Sequence, residues 1–141
     1  YSPDRHLIAL SHAGWRGTAA RMAAVTVRHL ASLGCAVSQI RAVIGPSAGP
    51  ERYQVGEEVA AAFADFRDEQ GAVLRPDPGS REHKYLLDLW RANRIAMLEA
   101  GLQPQHTAIA GLCTISRPDI FYSHRVQGDA RGALAGFIML K

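Results

Sequence analysis

Short apolar runs alternate along this chain with longer segments of helical periodicity, and this alternation restricts the fold more than any other feature. Runs typical of buried strands lie at residues 7–11, 40–44, 85–87 and 107–110. Segments with apolar residues every three or four positions begin at Thr18, Gly56 and Asp88. The first is predicted to end at a glycine cap, Gly34, the second at Phe66, and the third at Ala100, before Gly101. Strands that alternate with helices predict the α+β class, here a layered α/β sandwich with a mixed sheet and flanking helices.

The remaining segments are predicted from their turn residues. Two prolines and two glycines make residues 45–50 a rigid loop. Residues 71–84 are polar and contain two prolines and two glycines, so we expect a mobile surface loop. Near the end of the chain, residues 121–125 and 133–140 are predicted to form two strands around a turn at 128–132.

Composition and charge narrow the class of protein. Hydrophobic residues make up 48% and charged residues 21% of the chain, which favours one folded domain over residues 1–141 and argues against disorder. No apolar run reaches the roughly 18 residues of a transmembrane helix, so we expect no membrane partner. The net charge of +3 is spread without a basic block, which disfavours nucleic acid and suits a small anion. Two cysteines, Cys35 and Cys113, are typical of reduced thiols in a cytoplasmic protein.

The first candidate site is the segment Ser-His-Ala-Gly-Trp-Arg-Gly at residues 11–17. His12 follows a predicted strand and precedes a predicted helix, a common position for ligand sites in α/β folds. Its imidazole is a candidate metal ligand or acid–base group, and Arg16 can grip an anion with two parallel hydrogen bonds. Backbone N–H groups near Gly14 and Gly17 are further candidate anion donors. The structural alternative is a capped turn with a partly buried histidine.

The glycine–proline loop at residues 45–50 is the second candidate. Gly45 allows close backbone approach to a ligand and Pro46 fixes φ, but the same residues also suit a plain connector between a strand and a helix. The histidine and cysteine spacings add no metal motif, because the C-x-x-C, H-x-x-x-H and H-E-x-x-H patterns are all missing. His12 is therefore one good candidate ligand for which this chain offers no obvious second.

The third candidate is the stretch from Cys113 to Gly132. Cys113 is a candidate nucleophile with His12 or His124 as its base, although a free cysteine is more often a small buried hydrophobe. Arg125 and the neighbouring arginines are candidates for converging on an anion. Their structural alternative is a hairpin that carries solvated arginines.

Taken together, these motifs resemble one family. The segments that carry the resemblance keep its order and spacing over nearly the whole chain: His12-Ala13-Gly14-Trp15-Arg16-Gly17, Ile44-Gly45-Pro46-Ser47-Ala48-Gly49-Pro50, Leu87-Asp88-Leu89-Trp90, Ala92-Asn93-Arg94, Cys113-Thr114 and Phe121-Tyr122-Ser123-His124-Arg125. They are similar to the bacterial laccase-domain proteins, also called multicopper polyphenol oxidase-like proteins. The first motif is highly specific.

The resemblance implies a purine nucleoside phosphorylase with adenosine deaminase and methylthioadenosine phosphorylase activity, acting on purine nucleoside and phosphate. It also implies a zinc ion held by two histidines and one cysteine. His12 matches one of these ligands, whereas the other two lie upstream of that motif in the family. We therefore expect residues 1–141 to be a single laccase-like domain without its N-terminal portion. Glu51 and Arg52 replace two cysteines that many members carry, a departure that leaves the metal set unchanged.

The resemblance also suggests roles for the candidate residues. His12 is the expected metal ligand and a catalytic residue, and the expected phosphate holders are Arg16 and Arg125. The expected substrate-binding positions are Gly14, Gly17, Gly45 and Pro46. Two alternatives stay open. One is a copper-dependent polyphenol oxidase, for which the six histidines of this chain are few. The other is a non-catalytic fragment that binds a nucleoside or a partner.

Overall fold

The computed structural model describes every residue of the chain, 1–141. The chain forms two units, each assembled from separate stretches of sequence. The first unit comprises Tyr1–Ile44, Ala92–Ile109 and Gly136–Lys141, and the second comprises Gly45–Arg91 and Ala110–Ala135. None of the helices combines the length and the apolar character that crossing a bilayer requires.

Helices and strands are short throughout. The α-helices are α1 Trp15–Ala19, α2 Met22–Ser32, α3 Glu57–Ala61, α4 Leu89–Glu99 and α5 His124–Gln127. The strands are β1 Ala42–Ile44, β2 Gln54–Val55, β3 Arg67–Asp68, β4 Gly71–Ala72, β5 Leu74–Pro76, β6 Tyr85–Leu87 and β7 Thr107–Ile109. This mixture of helices and strands confirms the predicted α+β class.

The strands divide among three small sheets instead of one mixed sheet. In the first unit β1 and β7 pair in parallel, with Val43 opposite Ala108. In the second unit the antiparallel order is β2-β6-β5, and β3 and β4 form a separate antiparallel pair. Parallel and antiparallel pairing therefore both occur, as the mixed-sheet prediction required, but in different sheets.

The core of the first unit forms on one face of α2. Ala24, Val27 and Leu30 recur every three residues and are buried, as an amphipathic helix requires. Val27 and Leu30 belong to an apolar cluster that also contains Cys35, Ile40, Met97 and Leu102. The helix ends before Gly34, whose φ of +86° matches the predicted glycine cap.

The helix predicted from Thr18 is interrupted near its start. Arg21 has a φ of +56°, in the left-handed region, and it separates α1 from α2. The guanidinium of Arg21 pairs with the carboxylate of Glu99 on α4. This tertiary ion pair accompanies a backbone conformation that local periodicity does not reveal.

The core of the second unit is aromatic and aliphatic. Phe63 and Leu87 are fully buried, and the rings of Phe63 and Phe66 lie 5.0 Å apart between centroids. Regular helix in the predicted segment 56–66 ends at Ala61, because the following N–H groups bond to carbonyls three residues back, as that of Phe63 does to Ala60. The strand predicted at 85–87 is confirmed as β6.

The prediction of a mobile surface loop over residues 71–84 is wrong for its first half, which contains β4 and β5. Val73 between them is 3% exposed. Its N–H donates to the carbonyl of Phe66, and its own carbonyl accepts from Asp88. One buried valine with both backbone groups bonded therefore anchors a segment whose composition is typical of loops.

Three predicted strands are also wrong. Residues 8–11 belong to no sheet, and Leu7 makes only an isolated bridge to Ser2. Within residues 121–125 the structure instead begins α5, whose first turn is closed by bonds from Val126 and Gln127 to the carbonyl of Ser123. Residues 133–140 are exposed and belong to neither helix nor strand. In each case the apolar segment has no strand in this chain with which it pairs.

Candidate functional site

The loop that carries His12 lies at the surface of the first unit. His12 is exposed, and its Nε2 lies 3.5 Å from the position that a Cβ on Gly14 would take. Gly14 is extended and forms the N-cap of α1. The imidazole is therefore accessible to a ligand, contrary to the alternative of a partly buried histidine.

Two buried polar side chains support this loop from below. Thr18, at 0% exposure, donates from its hydroxyl to the carbonyl of Ala13 at 3.2 Å. The side-chain amide of Asn93, which is 7% exposed, donates to that hydroxyl oxygen at 3.0 Å. The sequence analysis missed this pair as functional residues. The signal that could have found it is a threonine directly after the first motif of the resemblance and an asparagine within the Ala-Asn-Arg motif.

Arg16 is the cation of the same loop. Its side chain is exposed, and the guanidinium carbon lies 4.2 Å from the centroid of the Trp15 ring. Stacking on an aromatic face leaves the edge of the guanidinium able to donate to an anion. Because α1 has only five residues, its macrodipole adds little to anion binding. The phosphate binding predicted for this loop therefore depends on Arg16 more than on the helix start near Gly14 and Gly17.

The glycine–proline loop of the second unit is organised around Gly49. Gly45 and Pro46, the two predicted binding positions, are exposed, and nothing lies within 4 Å of a Cβ placed on Gly45. At Gly49, by contrast, a Cβ would lie 3.0 Å from the Cβ of Cys113 and 3.0 Å from the ring of Trp90. The close approach that the sequence indicated for this loop thus occurs at Gly49.

Cys113 sits among hydrogen-bond donors. Burial of its thiol disfavours the thiolate, but hydrogen bonds from the Ser116 side chain and from the N–H groups of Gly49, Ser116 and Ile115 outweigh burial and lower the pKa of Cys113. The Gly49 N–H lies 3.2 Å from Sγ. His124, one of the two bases suggested for a nucleophilic cysteine, lies near Asp129, with 3.8 Å between Nδ1 and the carboxylate.

Two arginines of the third candidate segment, Arg117 and Arg125, face separate partners. Arg125 stacks on Tyr53, with 5.1 Å from its guanidinium carbon to the ring centroid, and donates to the carbonyl of Gln54 at 2.8 Å. Arg117 pairs with Asp119, which raises the pKa of Arg117 and lowers that of the carboxyl group. Arg117 and Arg125 therefore do not converge on one anion.

No metal site is complete within the 141 residues. No group of three or more histidine, cysteine, aspartate or glutamate side chains is placed to hold an ion. Structural and catalytic zinc sites take at least three protein ligands. His12 is an accessible imidazole donor, but the residues of this chain alone do not fit a zinc or copper centre, so we derive no chemical step through one.

Comparison with known proteins gives consistent matches. A sequence family described as multi-copper polyphenol oxidoreductase laccase matches residues 1–141. The chain is 34% identical to the Bacillus subtilis (strain 168) protein named purine nucleoside phosphorylase YlmD, over 100% of this chain and 50% of that protein. It is 35% identical to adenosine deaminase RL5 from an unknown prokaryotic organism, over 89% of this chain and 47% of that protein.

A solved structure with the same arrangement is the crystal structure of the Bacillus licheniformis hypothetical protein YfiH. It superposes with a TM-score of 0.80 at 33% identity and covers 91% of this chain and 48% of that one. The chain thus spans about half the length of the curated relatives that it matches.

Proposed function

We propose that this chain, which belongs to the multi-copper polyphenol oxidoreductase laccase family, is the part of a purine nucleoside phosphorylase that carries the His12–Arg16 loop. The family membership confirms the resemblance predicted from the motifs. The observation that carries the proposal is one surface loop with an accessible imidazole and an accessible guanidinium, supported by buried hydrogen bonds. The names of two relatives, a purine nucleoside phosphorylase and an adenosine deaminase, support purine nucleosides as the substrate class.

Phosphate binding is assigned to Arg16. A guanidinium presents parallel N–H groups that match two phosphate oxygens, and its charge persists at every physiological pH. Stacking on Trp15 restricts the side chain before phosphate arrives, which lowers the entropy lost on binding. The same role stays a prediction for Arg125, and substrate binding stays a prediction for Gly14, Gly17, Gly45 and Pro46.

The proposed reaction is phosphorolysis of the glycosidic bond. A phosphate oxygen forms a bond to the ribose C1′ while the bond from C1′ to the purine nitrogen breaks. The electron pair of that bond leaves with the purine, which takes up a proton, and ribose 1-phosphate is the second product. Positive charge develops on the sugar in the transition state, as in other glycosidic cleavages, so an anion held against C1′ lowers the barrier.

Zinc dependence, adenosine deamination and methylthioadenosine phosphorolysis are finer parts of the proposal. His12 is the donor that this chain offers to a metal ion, and the further ligands would come from sequence outside these 141 residues. Bound zinc would supply a Lewis acid and a water of lowered pKa.

A second candidate function is suggested by the wording of the family description, which names copper and polyphenols. A copper-dependent oxidase would turn over phenols in proportion to its copper content, whereas a phosphorylase would not. A non-catalytic fragment that binds nucleoside or a partner is the third candidate. It predicts nucleoside binding without turnover.

The test is an assay of the full-length protein that contains this sequence, with adenosine and inorganic phosphate. We expect adenine to appear with phosphate, and inosine or hypoxanthine if deamination also occurs. Chromatography of the products distinguishes these outcomes. If none of the three purine products forms, the enzymatic proposal is wrong.

The metal assignment is tested by His12→Ala in the same protein. Elemental analysis is expected to show zinc in the parent and a loss of most of it in the variant, because one ligand is missing. His29→Ala is the matched control, since His29 is another exposed histidine of the first unit. Equal zinc content in both variants would remove His12 from the ligand set.

A further inference from the structure

We propose that Asn93 and Thr18 are positioning residues: together they fix the backbone beside His12 and so set the direction of its imidazole. The inference rests on the proposed function of the His12 loop. Asn93 belongs to the Ala-Asn-Arg motif, to which the proposed chemistry assigns no role. Both side chains lie within the first unit but 75 residues apart in sequence.

The hydrogen bonds form a chain with one direction. The Thr18 hydroxyl carries a single proton, and the geometry uses it toward the carbonyl of Ala13. The hydroxyl oxygen then accepts from the amide of Asn93. The donor of this hydroxyl and one of its acceptor positions are therefore both used in hydrogen bonds. The chain therefore links α4 to the carbonyl of Ala13, the residue that directly follows His12.

The bond from Thr18 reaches further back than a helical threonine usually does. Threonine side chains in helices commonly bond to a carbonyl three or four residues earlier. Here the backbone N–H of Thr18 donates to the carbonyl of Gly14 at 2.8 Å. The hydroxyl donates to the carbonyl one residue earlier, that of Ala13. It thereby holds a carbonyl that lies before the helix begins.

The backbone on the other side of His12 has no sheet pairing. Residues 8–12 are in no sheet, and His12 itself is exposed. The anchor at Asn93, by contrast, sits on a helix packed through Ala92 and Ala96, each at 0% exposure. The loop thus gains a defined orientation from the buried side, where water cannot compete for the bonds.

The positions of reacting groups matter steeply for rate. A displacement of about 1 Å can cost roughly a hundredfold in turnover. If Thr18 and Asn93 hold the loop, their loss should affect turnover more than affinity, because substrate contacts made elsewhere stay intact.

The variants are Thr18→Val, which keeps the shape and removes the hydroxyl, Thr18→Ser, which keeps the hydroxyl, and Asn93→Ala. All are made in the full-length protein. The matched control is Ser2→Ala, because Ser2 is also 0% exposed in the first unit and its hydroxyl bonds elsewhere, to Asp4. The readouts are the melting temperature, kcat and KM for adenosine, and hydrogen exchange of the peptide covering residues 12–18.

We expect Thr18→Val to lower kcat by about tenfold or more with KM changed less than about threefold, and to speed exchange in residues 12–18. Thr18→Ser, which keeps the hydroxyl, should have kcat and exchange rates close to those of the parent. Asn93→Ala should act in the same direction, and combined with Thr18→Val it should cost no more than the larger single effect, since both act through one chain. Ser2→Ala should lower the melting temperature and leave kcat and loop exchange unchanged.

The outcomes separate this inference from the proposed function. If the parent shows no phosphorolysis, the proposed function fails, and loop exchange alone decides the inference. Unchanged exchange in Thr18→Val then overturns it. With an active parent, the inference is also overturned if Thr18→Ser fails to restore kcat, or if Ser2→Ala lowers kcat as much as Thr18→Val. Should Thr18→Val not fold, Asn93→Ala and Thr18→Ser carry the same comparison.

Discussion

The two cysteines of the chain have opposite surroundings. Cys35 is 5% exposed within the apolar cluster of the first unit, which leaves its sulfur without access to reagents. Cys113 is half-buried, and hydrogen bonds to its sulfur lower its pKa despite the burial of the thiol. The folded protein therefore stabilises the thiolate of Cys113. This stabilisation is fully present above the unfolded-state pKa of roughly 8.5 and is lost as the pH falls through the lowered pKa.

Alkylation should reveal this difference. In the folded protein we expect iodoacetamide to modify Cys113 with a pH midpoint below roughly 8.5, the value of a free thiol, and to leave Cys35 unmodified. Peptide mass spectrometry measures both sites. The denatured protein is the control, in which both cysteines should react with the same midpoint. A Cys113 midpoint at or above the denatured value would contradict the account.

Close approach at Gly49 gives a second prediction. An added Cβ would meet the Cβ of Cys113 and the Trp90 ring, each at 3.0 Å, and neither is the free end of an exposed side chain. We expect Gly49→Ala to lower the free energy of unfolding by about 1–3 kcal/mol, the range for overpacking. Gly45→Ala is the matched control, because its Cβ meets nothing within 4 Å. Denaturant titration of both variants checks this, and equal stabilities would contradict it.

The helices were easier to predict than the strands. The sequence predicts a helix from the cap Asp88 to Ala100 that Gly101 ends, and α4 agrees: Asp88 accepts from the Arg91 N–H at 2.9 Å, and Gly101 has a φ of +94°. The backbone hydrogen bonds of a helix form within one segment, so its capping residues and its apolar periodicity can be read from the local sequence. A strand needs a second strand with which to form hydrogen bonds. Apolar runs such as residues 7–11 and 133–140 do not show whether the fold provides one.

The glycine that ends α4 provides a test at this scale. Gly101 lies in the left-handed region, and a Cβ there would be 3.4 Å from Cγ1 of Val37. We expect Gly101→Ala to lower the free energy of unfolding by about 1 kcal/mol. The control is Gly136→Ala, since Gly136 is exposed and has no positive φ. Thermal unfolding of the two variants measures the difference. A Gly101→Ala protein as stable as the parent would show that the cap contributes nothing to the stability of the fold.

At the scale of the whole molecule, the sequence predicted the His12 loop but not what supports it. His12 and Arg16 are accessible, as a ligand site requires. Thr18 and Asn93 escaped notice because a contact across 75 residues leaves no local pattern. A complete metal centre cannot be built from these residues, and the chain spans about half the length of its relatives. The catalytic account therefore concerns the full-length protein.

The formation of ribose 1-phosphate from adenosine by that protein tests the central claim most directly. We predict an initial rate that saturates with phosphate. Arg16→Ala should raise the KM for phosphate by about ten- to a hundredfold, as expected for the loss of a charge-assisted bond. Release of adenine or hypoxanthine that proceeds equally well without phosphate, or that yields no ribose 1-phosphate, would contradict it.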